Sequence, residues 1–214
     1  MSNLQLHAAL ETALTDRRLL THPFYQRWCR GELSVSDLRA YAEQYRFFEA
    51  ELPGALGRIR DRAGDGGVQT MVQRNLDDEL GVTGTAHLDL FERFADELAA
   101  DREAAPSTAT VNLISTYRAL VDESPQRGLA AVLAYEAQAS EIAESKAAGL
   151  KTHYAMGGEA VEFWTVHATA DFEHARWALE ALAALGATPD AVRSGARAAA
   201  DAWWAFLDER EAAC

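Results

Sequence analysis

The stretch His167-Ala168-Thr169-Ala170-Asp171-Phe172-Glu173-His174 decides how the rest of the chain is read. A helix turns by about 100° per residue, so Asp171 projects about 40° from His167 and His174 about 20° from it on the other side. The three groups share one narrow stripe, and Trp164 and Trp177 bracket it. A stripe framed by aromatics faces a core, where carboxylate and imidazole groups need partners. A divalent cation satisfies all three together. The segment therefore predicts a buried helix that carries metal ligands.

Outward from it the helical period persists in both directions. Thr188-Pro189 pairs a cap with a first-turn proline and opens the last helix, which carries Trp203 and Trp204. Gly157-Gly158 separates the striped helix, which runs to Leu185, from a long helix over roughly Gln126 to His153. Ser124-Pro125 starts that one, and Ser107 starts the helix before it. Further upstream, Thr85 is expected to cap a helix running to about Ala99, and Val68 to Leu80 forms another after the turn at Gly64, Gly66 and Gly67. A helix from Ser34 or Ser36 passes through Tyr41 and Tyr45 and is expected to stop at Pro53. His22-Pro23 divides a short helix around Trp28 from a first helix over Leu4 to about Leu20. No alternating period, repeat or linker interrupts this pattern. It predicts a single all-α domain over residues 1–214.

Composition narrows the function. A hydrophobic fraction of 49% excludes a disordered chain, and no apolar run is long enough to span a membrane. The net charge of −13 comes without any Lys/Arg-rich run, which excludes nucleic acid and anionic membranes as partners. Glu11, Asp16, Arg17 and Arg18 interrupt the N-terminal leucines, unlike a secretory signal. Cys29 and Cys214 are far apart in sequence, so a reduced, cytoplasmic setting is expected.

Three more ligand types stand elsewhere. Glu79 ends the helix that closes on Asn75-Leu76-Asp77-Asp78-Glu79, and His87 opens the next one after a glycine-containing turn. Glu136 lies mid-helix in Ala134-Tyr135-Glu136-Ala137-Gln138, among small and apolar residues. Taken singly, Glu79 and Glu136 read as solvated carboxylates and His87 as a structural histidine. Taken with the stripe, Glu79, His87, Glu136, His167, Asp171 and His174 supply three imidazoles and three carboxylates. Two divalent ions would nearly balance that charge, and a mixed nitrogen–oxygen set suits iron or manganese. A structural zinc takes four ligands, often thiolates. The ferritin-like diiron pattern needs two Glu-x-x-His pairs, whereas this chain has only Asp171-x-x-His174 near that form.

On these residues the chain resembles the haem-oxygenase-like dimetal oxidases, and among them the CADD-like family of folate-metabolism proteins. The likeness runs along almost the whole sequence. It rests on His22-Pro23-Phe24-Tyr25 with Trp28, Gly31-Glu32-Leu33, Leu38-Arg39-Ala40-Tyr41-Ala42 and Asn75-Leu76-Asp77-Asp78-Glu79. Tyr135-Glu136-Ala137-Gln138, Ile142-Ala143-x-x-Lys146-x-x-Gly149-Leu150 and the final His-x3-Asp-x2-His complete it. The resemblance implies a seven-helix haem-oxygenase-like bundle, shared with thiamin-salvage and quinone-cofactor proteins. It further implies a dinuclear Fe2+ and/or Mn2+ centre that activates O2 with a reductant and without haem.

The activity implied is formation of 4-aminobenzoate for folate synthesis by a protein that consumes itself. Carried over by motif, Tyr25 supplies the aromatic ring and Lys146 the nitrogen, while Tyr41 and Tyr135 match tyrosines that family members place near the metals, where they could relay electrons. The chain departs from the family pattern in a longer gap between Glu79 and His87, and in Ser140-Glu141 where a proline is usual. Helical geometry puts Lys146 about 15 Å along the axis from Glu136 and about 80° round it. A direct role for Lys146 thus requires a bent helix or a site extended along the bundle.

Other readings stay open. The same metals could oxidise an external amino acid or fatty acid, with Arg46, Arg74 or Arg176 holding an anionic end. A thiamin-hydrolysing enzyme needs a placed thiol, which neither Cys29 nor Cys214 offers by position. A non-enzymatic, partner-binding helical protein would need no metal. Small molecules are the partners expected, and a homodimer the candidate assembly.

Overall fold

In a computed structural model, residues 2–214 are described except residue 83, with the side chains of residues 169–171 also left aside. Local sequence sets most of the helix starts. Ser2 and Ser34 each form a reciprocal capping box, with Gln5 and Asp37, and open α1 (Asn3–Leu14) and α3 (Val35–Arg62). His22 accepts from the Phe24 amide at the head of α2 (Pro23–Arg30). Asp65 caps α4 (Gly66–Glu79), and Ser107 caps α6 (Thr108–Glu123). Ser124 and Thr188, each followed by proline, open α7 (Pro125–His153) and α9 (Pro189–Ala212). The remaining two are α5 (His87–Glu97) and α8 (Glu162–Ala184).

The fold is the all-α bundle expected, and no strand occurs among the described residues. Among the described residues nine α-helices stand in place of seven, because left-handed glycines such as Gly31 and Gly64 divide the helical path into shorter pieces. Three boundaries differ from the sequence reading. The first helix ends at Leu14, and Leu19–Thr21 form a separate 3-10 turn. That break lets the Leu19 amide donate to Gln138 Oε1 at 2.9 Å while Arg17 reaches Asp201 on α9 at 2.8 Å.

Pro53 does not stop α3, which continues to Arg62. A proline in a helix costs about 3 kcal/mol. Leu52, Leu56 and Ile59 are buried around and beyond it, each contributing about 1.5–3 kcal/mol, so packing outweighs the lost backbone bond. Thr85 does not cap α5. Ala86 holds that position without a side-chain cap, and α5 ends at Glu97, short of the left-handed Ala99. The cause is Gly81, also left-handed, whose turn folds back so tightly that a Cβ there would collide with the Ala86 amide.

Helix α7 forms the axis of the bundle. It packs against α8, α9 and α6 and is buried on nearly all sides from Gly128 to Leu150. Its small residues make this possible. Gly128 lies against Val121 of α6, Gly149 against Trp28 of α2, and the Arg127 carbonyl against Gly195 of α9. Round this axis, α2, α3, α4, α5, α7 and α8 each send polar residues into the interior. Among the described residues no helix is long and apolar enough to cross a membrane.

Candidate metal centre

Three consecutive acids end α4, and the helical turn sends each a different way. Asp77 accepts from Gln73 Nε2 on its own helix at 2.7 Å, Asp78 is 40% exposed, and Glu79 is buried. The Gly81 turn then reverses the chain and sets His87, the first residue of α5, opposite Glu79. His87 Nδ1 lies 3.1 Å from Glu79 Oε2. His167 enters from α8 with its ring centroid 4.3 Å from that of His87, and its Nδ1 faces the Phe163 carbonyl at 2.9 Å. Glu79, His87 and His167 each offer a ligand atom within 4.8 Å of one another, all buried.

The other expected ligands are placed as follows. Glu136 is buried on α7, and its Oε1 accepts from Asn75 Nδ2 at 2.6 Å. Asn75 precedes Glu79 by one helical turn, so Glu136 is tied to the face of α4 that carries Glu79. His174 is buried two helical turns beyond His167, its ring 6.3 Å from His87, and its Nε2 lies 3.0 Å from Asp78 Oδ2. The Asp171 side chain lies outside the described residues.

Burial pushes the Glu79 carboxyl up, yet the His87 hydrogen bond and the nearby His167 and His174 rings hold it below its ordinary range. Burial lowers His87, but bonding to Glu79 outweighs it and raises the imidazole. The group therefore keeps a charged carboxylate beside imidazoles inside the protein. One carboxylate and two imidazoles at this spacing fit a divalent transition ion. A cavity of about 280 Å³ opens beside His87, lined also by Asp78, Gly84 and Glu162.

A second polar cluster lies along the bundle. Lys146 of α7 is only 2% exposed. Its Nζ donates to Tyr25 Oη of α2 at 3.0 Å and to Tyr41 Oη of α3 at 2.6 Å, and the two phenols lie 3.0 Å apart. The amine also sits 4.2 Å from the Trp164 ring centroid and 4.3 Å from that of Tyr25. Lys146 thus reaches Tyr25 through an extended site, without needing to face Glu136. Burial pushes Lys146 well below the ordinary lysine range against an opposing pull from Glu49, and it raises both phenols.

Tyr135 meets this cluster indirectly. Its hydroxyl is 2.6 Å from that of Tyr45, whose ring stacks on Tyr41 at 5.3 Å. Tyr135 adjoins Glu136 in sequence, and Trp164 precedes His167 by three residues on α8. The two clusters are therefore bridged by two helices.

Several contributors escaped the sequence reading. Tyr45 follows Tyr41 by four residues, a same-face spacing that pointed to it. Trp164 was visible only as a bracket of the stripe, and nothing in the spacing marked Glu49, Asn75 or Asp78. The candidate arginines are engaged elsewhere. Arg46 bonds Glu92 and the Asp101 carbonyl, Arg176 pairs with Glu173 and Glu180, and Arg74 lies over Trp177. Cys29 is 2.8 Å from Ser145 Oγ, and both cysteines are free.

A helical bundle with buried carboxylate and imidazole donors defines a haem-oxygenase-like metal-binding protein. Residues 39–204 match the family of iron-containing redox enzymes, and the chain belongs to that family. It is an oxidoreductase. It is 33% identical over 207 residues to the 4-aminobenzoate synthase of Chlamydia pneumoniae, covering 92% of this chain and 91% of that one. It is 35% identical over 220 residues to the 4-aminobenzoate synthase of Nitrosomonas europaea, covering 93% and 88%. In fold it is similar to a CADD-like protein of unknown function from Nostoc punctiforme, with TM-score 0.76, 24% identity and coverage of 99% and 97%. A TenA homologue from Pseudomonas syringae superposes with TM-score 0.80 at 17% identity, covering 97% and 93%.

Proposed function

We propose that this protein forms 4-aminobenzoate from its own Tyr25, with Lys146 as nitrogen donor. Glu79, His87, Glu136, His167, Asp171 and His174 would hold two transition ions, Fe2+ and/or Mn2+, and O2 and a reductant are the co-substrates. A metal pair of this kind supplies the strong oxidant that cleavage of an aromatic side chain requires. The observation that carries the reading is the buried Tyr25–Lys146–Tyr41 cluster, in a chain related over most of its length to 4-aminobenzoate synthases.

The residues divide the work. The aromatic cage excludes water from Tyr25. Burial favours the neutral Lys146 amine, whose nitrogen is nucleophilic and lies 3.0 Å from the phenol it is to modify. Tyr41, Tyr45 and Tyr135 offer a path for an electron toward Glu136 and the metal ligands. We place the whole process in one domain over residues 1–214, in a reducing cytoplasm that suits two free thiols, with a homodimer as the assembly to test.

The test is a single turnover. Protein loaded with Fe2+ and Mn2+ is exposed to O2 and reductant, and product and intact mass are measured. Wild type should release 4-aminobenzoate and lose the Tyr25 side chain, while Tyr25→Phe does neither. Product without any mass change at Tyr25 overturns the self-sacrificing route. The cavity beside His87 favours one second reading, oxidation of an external amino acid or fatty acid. More than one product per chain would select it.

A further inference from the structure

We infer that Asp78 is a positioning residue that dictates which ring nitrogen His174 presents to the metal centre. This rests on the reading of His174 as a ligand. His174 is 1% exposed, yet its Nε2 meets the Oδ2 of a carboxylate that is 40% exposed, at 3.0 Å. Asp78 stands in the wall of the cavity that opens beside His87, so the contact runs from the interior to the rim. A carboxylate accepts, so the imidazole donates through Nε2 and carries its lone pair on Nδ1, an atom that is itself buried.

His167 shows the opposite arrangement seven residues earlier on the same stripe. Its Nδ1 faces the Phe163 carbonyl, an acceptor, so its lone pair is on Nε2. The two histidines therefore offer different nitrogens, and each choice is made by an oxygen outside the ligand set. An oxygen on the second nitrogen of a ligating histidine fixes its tautomer and raises its basicity, and removing such a partner weakens metal binding by about 10- to 100-fold. Backbone fixes His167. At His174 the oxygen on Nε2 belongs to a side chain that one substitution removes.

The test uses the metal-free full-length protein and Mn2+ alone. Long-range 1H–15N correlations of the histidine rings report tautomers, and the EPR signal of free Mn2+ reports uptake. Wild type should hold His174 as the Nε2–H tautomer and bind two Mn2+. Asp78→Ala should mix the tautomers and weaken one Mn2+ by about 10- to 100-fold. Asp78→Asn retains an acceptor oxygen and should keep the Nε2–H tautomer with a smaller loss. Glu162→Gln removes another carboxylate of the same cavity and should match wild type.

The inference is overturned if Asp78→Ala keeps both the tautomer and the affinity, or if Glu162→Gln reproduces its loss, which would indicate a general acidic field. If Asp78→Ala fails to fold, Asp78→Asn decides: loss of the Nε2–H tautomer there overturns the inference. A wild type that binds no Mn2+ refutes the metal reading instead, and the tautomer measurement still decides the part played by Asp78.

Discussion

Two buried polar clusters share one bundle and treat their charges in opposite ways. At the α4–α5–α8 end, a carboxylate faces imidazoles, and the pairing holds Glu79 ionised despite its burial. At the α2–α3–α7 end, the Lys146 amine meets phenols and ring faces, and burial drives it toward the neutral form. Desolvation disfavours charge at both ends, and the identity of the partner decides which end keeps it. One end is thereby suited to hold a cation. The other drives its amine toward the neutral, nucleophilic form, because the pull of Glu49 and the ring faces does not offset burial there.

The largest effects should separate the two ends cleanly. Glu79→Ala and His167→Ala should abolish product and lower the metal found by elemental analysis. Tyr25→Phe should abolish product equally and leave metal content at the wild-type level. If Tyr25→Phe also loses metal, the clusters form one site and the contrast fails.

How much of this was legible in the chain follows the same division. The His167–His174 stripe and the caps at Ser34, Ser107 and Ser124 can be read from spacing, because a helix fixes what shares a face. The short glycine turn between their helices suggests that Glu79 could meet His87. Pro53 misled because its lost backbone bond is visible in sequence while the burial of Leu56 and Ile59 beyond it is not. The encounter of Lys146 with Tyr25 and Tyr41 could not be read from α7 alone. Distance along one helix says nothing about which helices lie beside it, and α2 and α3 supply the phenols. Asp78 was hidden for a related reason, since its partner His174 is distant in sequence.

A smaller effect tests the neutral amine. An unfolded lysine keeps its proton up to about pH 10.4, whereas burial makes folded Lys146 release it at a lower pH. Over that interval the unfolded state binds more protons, so stability must rise with pH, from the depressed folded value up to the ordinary one. The rise is about 1.4 kcal/mol per pH unit for one proton. Lys146→Met removes the group, so its advantage over wild type in urea unfolding should shrink as pH rises from about 7.5 to 9.5, by at most that amount per unit. Staying below pH 10 matters because the buried phenols act with the reverse sign. Their raised values make stability fall with pH, but only once unfolded tyrosine begins to ionise. A constant difference across the window would mean that Lys146 is charged in the fold.

The smallest effect probes the cage through its packing. A Cβ at Gly149 would sit 3.0 Å from Trp28 Cδ1 and 3.2 Å from the Trp28 carbonyl oxygen. Alanine in mid-helix gains about 1 kcal/mol over glycine, so the sign depends on whether Trp28 can yield. Its ring is fixed by Tyr41 at 5.3 Å, Trp164 at 6.0 Å and Phe94 at 6.2 Å, and its Nε1 donates to the Lys146 carbonyl at 3.4 Å. Overpacking against so confined a ring costs about 1–3 kcal/mol, which leaves Gly149→Ala destabilised by roughly 1 kcal/mol. Because the strain falls on a wall of the Lys146 cage, single-turnover product should decline while metal content stays unchanged. A variant as stable as wild type with full product would show that the cage can shift without disturbing the amine.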